Sequence, residues 1–252
     1  MARVGCQLGH VPRTTGKTGT GGCCGETEQE YVKRLFDTLE PKLVAAGHTP
    51  IEILADPASY PAMDVFVAFH CDGSVDPDSR GCSFGFRTDL PNATASKKFG
   101  NRWRAEHLAA GYSGGNRPTN YTKALAGYYA LDDATAAGAE QAIVVEFGFL
   151  TNRADNDFLI DNVGEVADAL VKTVVAFHGG TPPEEDLSIM DPATKEFLVQ
   201  QFDEIDDHFR TILRGDEQDP RTHPNNLENI MQRINNLQED VDRIKRKLQI
   251  PN

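Results

Sequence analysis

The chain has 252 residues, 39% of them hydrophobic, with 22 Gly, 14 Pro and a formal net charge of −13. That length holds one large domain, or one domain and a small module, and buries a sizeable core, which excludes global disorder. The acidic balance excludes nucleic acid as a main partner, because phosphate neutralisation needs clustered Lys and Arg, and no apolar run approaches the roughly 20 residues a membrane-spanning helix needs.

Arg3–Leu8 is short, apolar at alternate positions and runs into Gly9-His10, which predicts a first strand. Residues 11–25 hold five Gly and four Thr and read as loop. From Thr27 onward Tyr31, Leu35, Leu39 and Leu43 repeat every four residues, a helix face that stops at Gly47. Strands are expected at 51–54, at 84–86 and over the continuous apolar run 65–69, which suits burial on both faces of a sheet. The stretch 93–110 reads as helix, 128–131 as extended, 142–147 as strand, and 163–177 as an amphipathic helix. Strands alternating with helices predict an α/β fold over residues 1–178, a twisted mixed or parallel sheet flanked by helices.

Composition then shifts. Gly179-Gly180-Thr181-Pro182-Pro183-Glu184 opens a linker expected over 179–190. Beyond it Leu198, Phe202, Ile205, Phe209 and Ile212 are spaced by fours and threes, and Leu227, Ile230, Ile234, Leu237, Val241, Ile244 and Leu248 keep a three-four alternation. That pattern predicts a C-terminal helical hairpin or coiled-coil module over 191–252. Its apolar stripes pack either on each other or between copies of the chain. The second packing makes the protein a homo-oligomer through 191–252, and the first makes the module a decoration.

Four polar residues fall at the ends of predicted elements, where open α/β sheets place their sites. His10 follows the first strand, Glu28 opens the first helix, His70 ends the apolar run 65–69, and Glu146 interrupts Ile143-Val144-Val145-Glu146-Phe147. A carboxylate inside such a strand costs several kcal/mol unless paired or metal-linked. Two His and a Glu form a catalytic zinc donor set, and a further Glu serves as base for the attacking water. Each residue alone has an ordinary structural explanation: a satisfied strand-end His, or a Glu at a helix start favoured by the dipole, for which Glu26 and Glu30 compete with Glu28.

In combination, Gly9-His10, Glu28 before an apolar helix, Phe69-His70 and Val145-Glu146-Phe147-Gly148-Phe149-Leu150-Thr151-Asn152 resemble the type 3 zinc N-acetylmuramoyl-L-alanine amidases. These occur as bacterial autolysins and phage endolysins. The resemblance covers residues 3 to 178 and is most specific in the run from Glu146 to Asn152. It implies Zn2+ held by His10, Glu28 and His70, with Glu146 as the catalytic carboxylate. The family's apolar positions after the ligand Glu fall on Tyr31, Leu35, Phe36, Leu39 and Leu43 when counted from Glu28, and on polar residues when counted from Glu26 or Glu30. The chain departs from the family at Cys71-Asp72-Gly73 and at Val11-Pro12-Arg13. Asp72 either hydrogen-bonds a ligand His or turns the chain, and the turn is the expectation.

The implied activity is cleavage of the amide between N-acetylmuramic acid and L-alanine in bacterial peptidoglycan, with the module at 191–252 joining copies of the chain, targeting the wall, or both. The alternatives are another zinc peptidase acting within the stem peptide and a non-catalytic coiled-coil assembly or wall-binding protein. The start Met1-Ala2-Arg3-Val4-Gly5-Cys6 lacks a signal-peptide-like apolar stretch, so the expected location is the host cytoplasm, with release to the wall through a holin-made hole. The five Cys form an odd set without a C-x-x-C pair, and Cys6 and Cys71 are expected as small buried residues.

Overall fold

A computed structural model of the chain describes residues 1–11, 19–23 and 25–182. The module expected at 191–252, and all but the first four residues of the linker expected at 179–190, lie outside them. Five strands, β1 (Arg3–Leu8), β2 (Thr49–Ile53), β3 (Val65–Asp72), β4 (Ser83–Gly85) and β5 (Gln141–Phe149), make one sheet in the order β2-β1-β3-β5-β4. β4 is antiparallel to β5 and the other pairs are parallel, so the sheet is mixed. Around it stand α1 (Glu28–Ala45), α2 (Ala93–Ala109), α3 (Lys123–Ala126), α4 (Ala130–Ala136), α5 (Arg153–Asp161) and α6 (Val163–His178).

Alternation along the strands sends side chains to two cores. Cys6, Leu8, Val67, Phe69, Val145 and Phe147 face a layer in which α1, α2 and α6 bury Leu35, Leu39, Trp103 and Leu170. Phe66, Ala68, Ala142 and Val144 face the opposite way, toward Leu125, Leu131 and Ala134 of α3 and α4. Helix α1 starts where a capping box permits it. The Thr27 hydroxyl accepts from the Glu30 amide, and the Glu30 carboxylate accepts from the Thr27 amide. The helix ends at Ala45, with Ala46 as its cap before Gly47, whose φ of 87° is a conformation glycine adopts without strain.

Two expectations are corrected. Residues 128–131 are not extended: α4 begins at Ala130. Tyr128 and Tyr129 carry strand-favouring side chains, but Leu131 and Ala134 are spaced for one helix face and pack into the second core, while Asp132 and Asp133 complement the first turn of the helix. Asp72 does not turn the chain: β3 continues through His70 and Cys71 to Asp72, paired with β5 across a bulge. Helix α5 was not among the expected elements. Asn152 caps it by accepting from the amides of Ala154 and Asp155.

The strand order positions the site. From β1 the chain passes to β2 on one side and then returns to β3 on the other, so a crevice opens at the carboxyl ends of β1 and β3.

Candidate active site

The Gly9 amide donates to the Phe69 carbonyl at 3.0 Å, holding the end of β1 against β3. A Cβ on Gly9 would fall 2.7 Å from the His70 ring, so glycine is what lets the two segments meet there. The next residue, His10, has φ of 65°, a left-handed conformation that costs a non-glycine residue about 1–2 kcal/mol. The Gln29 amide group braces it by donating to the His10 carbonyl at 2.7 Å.

Glu28, the first residue of α1, is 2% exposed. Its Oε2 accepts from the Thr20 amide at 2.9 Å and lies 3.5 Å from His10 Nε2. Its Oε1 accepts from the Cys71 amide at 3.1 Å and lies 2.9 Å from His70 Nδ1. The loop reaches this carboxylate through Gly19, whose φ of +79° and absent Cβ bring the backbone close to it. The two rival acids are occupied elsewhere: Glu26 pairs with Arg34 at 2.7 Å, and Glu30 closes the capping box.

One ligand atom from each of His10, Glu28 and His70 lies within 4.8 Å of the others. A tetrahedral ion with bonds of about 2.0–2.2 Å separates its donors by roughly 3.3–3.5 Å. The 3.5 Å between His10 Nε2 and Glu28 Oε2 matches that spacing, the 2.9 Å between His70 Nδ1 and Glu28 Oε1 is a direct hydrogen-bond distance shorter than it, and two imidazoles with a carboxylate suit zinc. Burial pushes the Glu28 carboxyl up, but the hydrogen bond and charge of His70, the charge of His10 and the Thr20 amide outweigh it and hold the group below the usual carboxylate range. Glu28 is thus an anion in a buried place, the state a metal ligand needs.

Glu146 sits on β5 in register with His70 on β3, which puts both side chains on one face of the sheet. The residue is partly exposed, yet its Oε2 is closed off from solvent and has no hydrogen-bond partner among the described residues. Burial, reinforced by the negative charges of Asp72 and Glu28, pushes its carboxyl well above the usual range. Glu146 and Glu28 are therefore two nearby carboxyls with opposite preferences, one held ionised and one inclined to keep a proton. Asp72, at the end of β3, accepts a hydrogen bond from the Tyr121 hydroxyl, and its carboxyl is raised by burial although Tyr121 and Arg117 work against this.

Behind the site, Asp155 is fully buried at the foot of α5. It accepts from Tyr112 Oη at 2.7 Å, Gly81 N at 3.0 Å, and Phe149 N and Arg80 Nε at 3.1 Å, fixing the carboxyl end of β5 to the loops beside it. Cys6 and Cys71 are buried, and burial raises both thiols.

Sequence reasoning passed over Gln7, Tyr121 and Tyr128. Tyr128 Oη lies 2.8 Å from His70 Nε2 and donates to Gln7 Oε1 at 3.0 Å. Gln7 carries a signal of the kind that exposed Glu146, a polar residue inside a buried strand. The tyrosines carry none, because they reach the site from connections between helices.

A mixed sheet with two histidines and two glutamates gathered at its carboxyl edge defines an α/β protein with a candidate catalytic metal centre. No protein-family model and no curated protein sequence matches the chain. Solved structures do. The catalytic domain of CwlV, an N-acetylmuramoyl-L-alanine amidase from Bacillus (Paenibacillus) polymyxa var. colistinus, superposes with a TM-score of 0.53 at 18% identity, over 72% of this chain and 100% of that one. The CwlD amidase from Clostridioides difficile, solved with the GerS lipoprotein, gives 0.56 at 15% identity, over 70% and 98%. The catalytic domain of the CD27L endolysin, which targets Clostridia difficile, gives 0.53 at 14% identity, over 70% and 98%. The N-terminal part of the chain has the fold of N-acetylmuramoyl-L-alanine amidase catalytic domains.

Proposed function

We propose that the protein is a zinc-dependent peptidoglycan hydrolase that cleaves the amide between N-acetylmuramic acid and the first L-alanine of the stem peptide. The observation that carries the reading is the convergence of His10, Glu28 and His70 at the carboxyl edge of an amidase-type sheet, with Glu146 opposite His70. The likeness to amidases supports the choice of bond.

His10, Glu28 and His70 would hold the ion. Zinc in such a site polarises the amide carbonyl and lowers the pKa of water from about 15.7 toward 7. Glu146 accepts the proton of the attacking water at a carboxylate oxygen and delivers it to the alanine nitrogen as the C–N bond breaks. The nitrogen would otherwise depart as an amide anion, so the same group acts as base and then acid. A carboxyl raised by its surroundings suits both halves of that shuttle. The buried Glu28, fixed by two backbone amides, keeps the ligand set in place throughout.

In this reading the protein works as a phage endolysin made in the host cytoplasm, for which the likeness to the CD27L catalytic domain is the support. The heptads of 191–252 then join copies of the chain, raising apparent affinity for a polymeric wall by effective concentration. The test is digestion of purified peptidoglycan followed by amino-terminal analysis. New L-alanine termini on intact stems are expected, whereas cuts within the stem would assign the site to a different peptidase.

A further inference from the structure

We propose that Tyr128 positions His70 for the metal, its phenolic oxygen taking the Nε2 proton of that ring so that the Nδ1 lone pair faces the ion. The inference rests on the zinc reading above and extends it to the connection between α3 and α4.

The direction of each hydrogen bond follows from Gln7. This side chain is fully buried on β1. One end of its amide lies 3.1 Å from the Ala55 carbonyl and 3.4 Å from the Leu54 carbonyl. Carbonyl oxygens only accept, so that end is the NH2 group, and the other end is Oε1. Oε1 in turn only accepts, and the Tyr128 hydroxyl donates to it at 3.0 Å. A phenol has a single proton. Toward His70 Nε2, at 2.8 Å, the same oxygen therefore acts as acceptor, and the proton between them belongs to the ring.

A ligand imidazole carries one N–H, so with a proton kept on Nε2 the hydrogen that Nδ1 shares with Glu28 is the one an ion would replace. Nδ1 is the nitrogen that faces Glu28 Oε1 at 2.9 Å, inside the cluster of ligand atoms. The chain Gln7–Tyr128–His70 thus fixes both the tautomer and the tilt of a ligand ring, and an acceptor on the outer nitrogen makes the inner one a stronger donor to the ion. Packing alone would not need the hydroxyl: the two rings meet edge to face at 5.3 Å, a contact that phenylalanine keeps.

Zinc affinity of the full-length protein, measured by chelator competition, separates the two roles. Tyr128→Phe is expected to fold as the wild type does by circular dichroism and to bind zinc about 10- to 100-fold more weakly. Equal affinity in the two proteins would overturn the proposal. Nitrogen-15 NMR of zinc-loaded wild type gives an independent reading, with His70 expected as the Nε2–H form, and an Nδ1–H form would overturn it as well. A wild type that binds no zinc at all would instead overturn the functional reading, and this inference with it.

Discussion

His70 on β3 and Glu146 on β5 are register partners on adjacent parallel strands, so one pair of backbone hydrogen-bond ladders sets the distance between a candidate metal ligand and the candidate proton shuttle. Neither position depends on a loop. Both side chains share the sheet face of Gln7, and the third element of the site, Glu28, arrives from the first turn of α1. These three residues stand on regular elements, which hold geometry better than loops do, and only His10 of the four lies in a turn, just past β1.

Because Glu28 accepts two backbone amides and faces both histidines, Glu28→Ala is expected to lose zinc as completely as His70→Ala. Glu26→Ala should keep it, since Glu26 pairs outward with Arg34. Metal content of the purified variants, read by atomic emission, checks the assignment. A zinc-replete Glu28→Ala protein would remove that residue from the ligand set.

Asp155 is a stability prediction. Asp155→Ala leaves the amides of Gly81 and Phe149 and the Tyr112 hydroxyl without their buried acceptor. A loss of at least about 3 kcal/mol is expected in urea denaturation. Tyr112→Phe deletes only one of these bonds, so about 1 kcal/mol is expected.

His107 contributes to the pH dependence of folding. It is fully buried, its Nε2–H donates to the Phe147 carbonyl at 3.0 Å, and burial pulls its pKa down from 6.5 to about 4. A depressed histidine stabilises the fold above the unfolded value, and that contribution fades as pH falls from 6.5 through about 4. The full effect is roughly 3 kcal/mol at 1.36 kcal/mol per unit. Urea midpoints of wild type between pH 7.5 and 4.5 should therefore fall more steeply than those of His107→Gln. Parallel pH profiles would contradict the assignment.

The tail prediction follows from the sequence alone. Removing residues 181–252 is expected to leave a folded, active monomer from an oligomeric parent, as measured by light scattering. An oligomer of unchanged order in the truncated protein would assign self-association to the N-terminal part.

What the sequence made legible follows the strength of local periodicity. β1, α1, β5 and α6 declare themselves because each carries an apolar face several residues long, and Glu146 stands out because a carboxylate interrupts such a face. The stretch around Tyr128 does not. Its aromatic residues favour strand locally, while its place is decided by Leu131 and Ala134 packing on a sheet whose strands lie far away in sequence. Asp72 is similar: its fate as a strand residue depends on pairing with β5, which no feature near residue 72 encodes. Glu28 was separable from Glu26 and Glu30 only by family register, and in the structure the physical difference is that Arg34 and Thr27 engage its rivals.

The most direct test of the central claim measures zinc content and peptidoglycan hydrolysis together, on the wild type and on Glu146→Gln. About one zinc per chain is expected in both proteins, with hydrolysis reduced by about 10²–10⁴-fold in the variant, the usual effect of losing a general acid–base group. Absence of zinc from both, or hydrolysis by Glu146→Gln at the wild-type rate, would contradict a zinc amidase that works through Glu146.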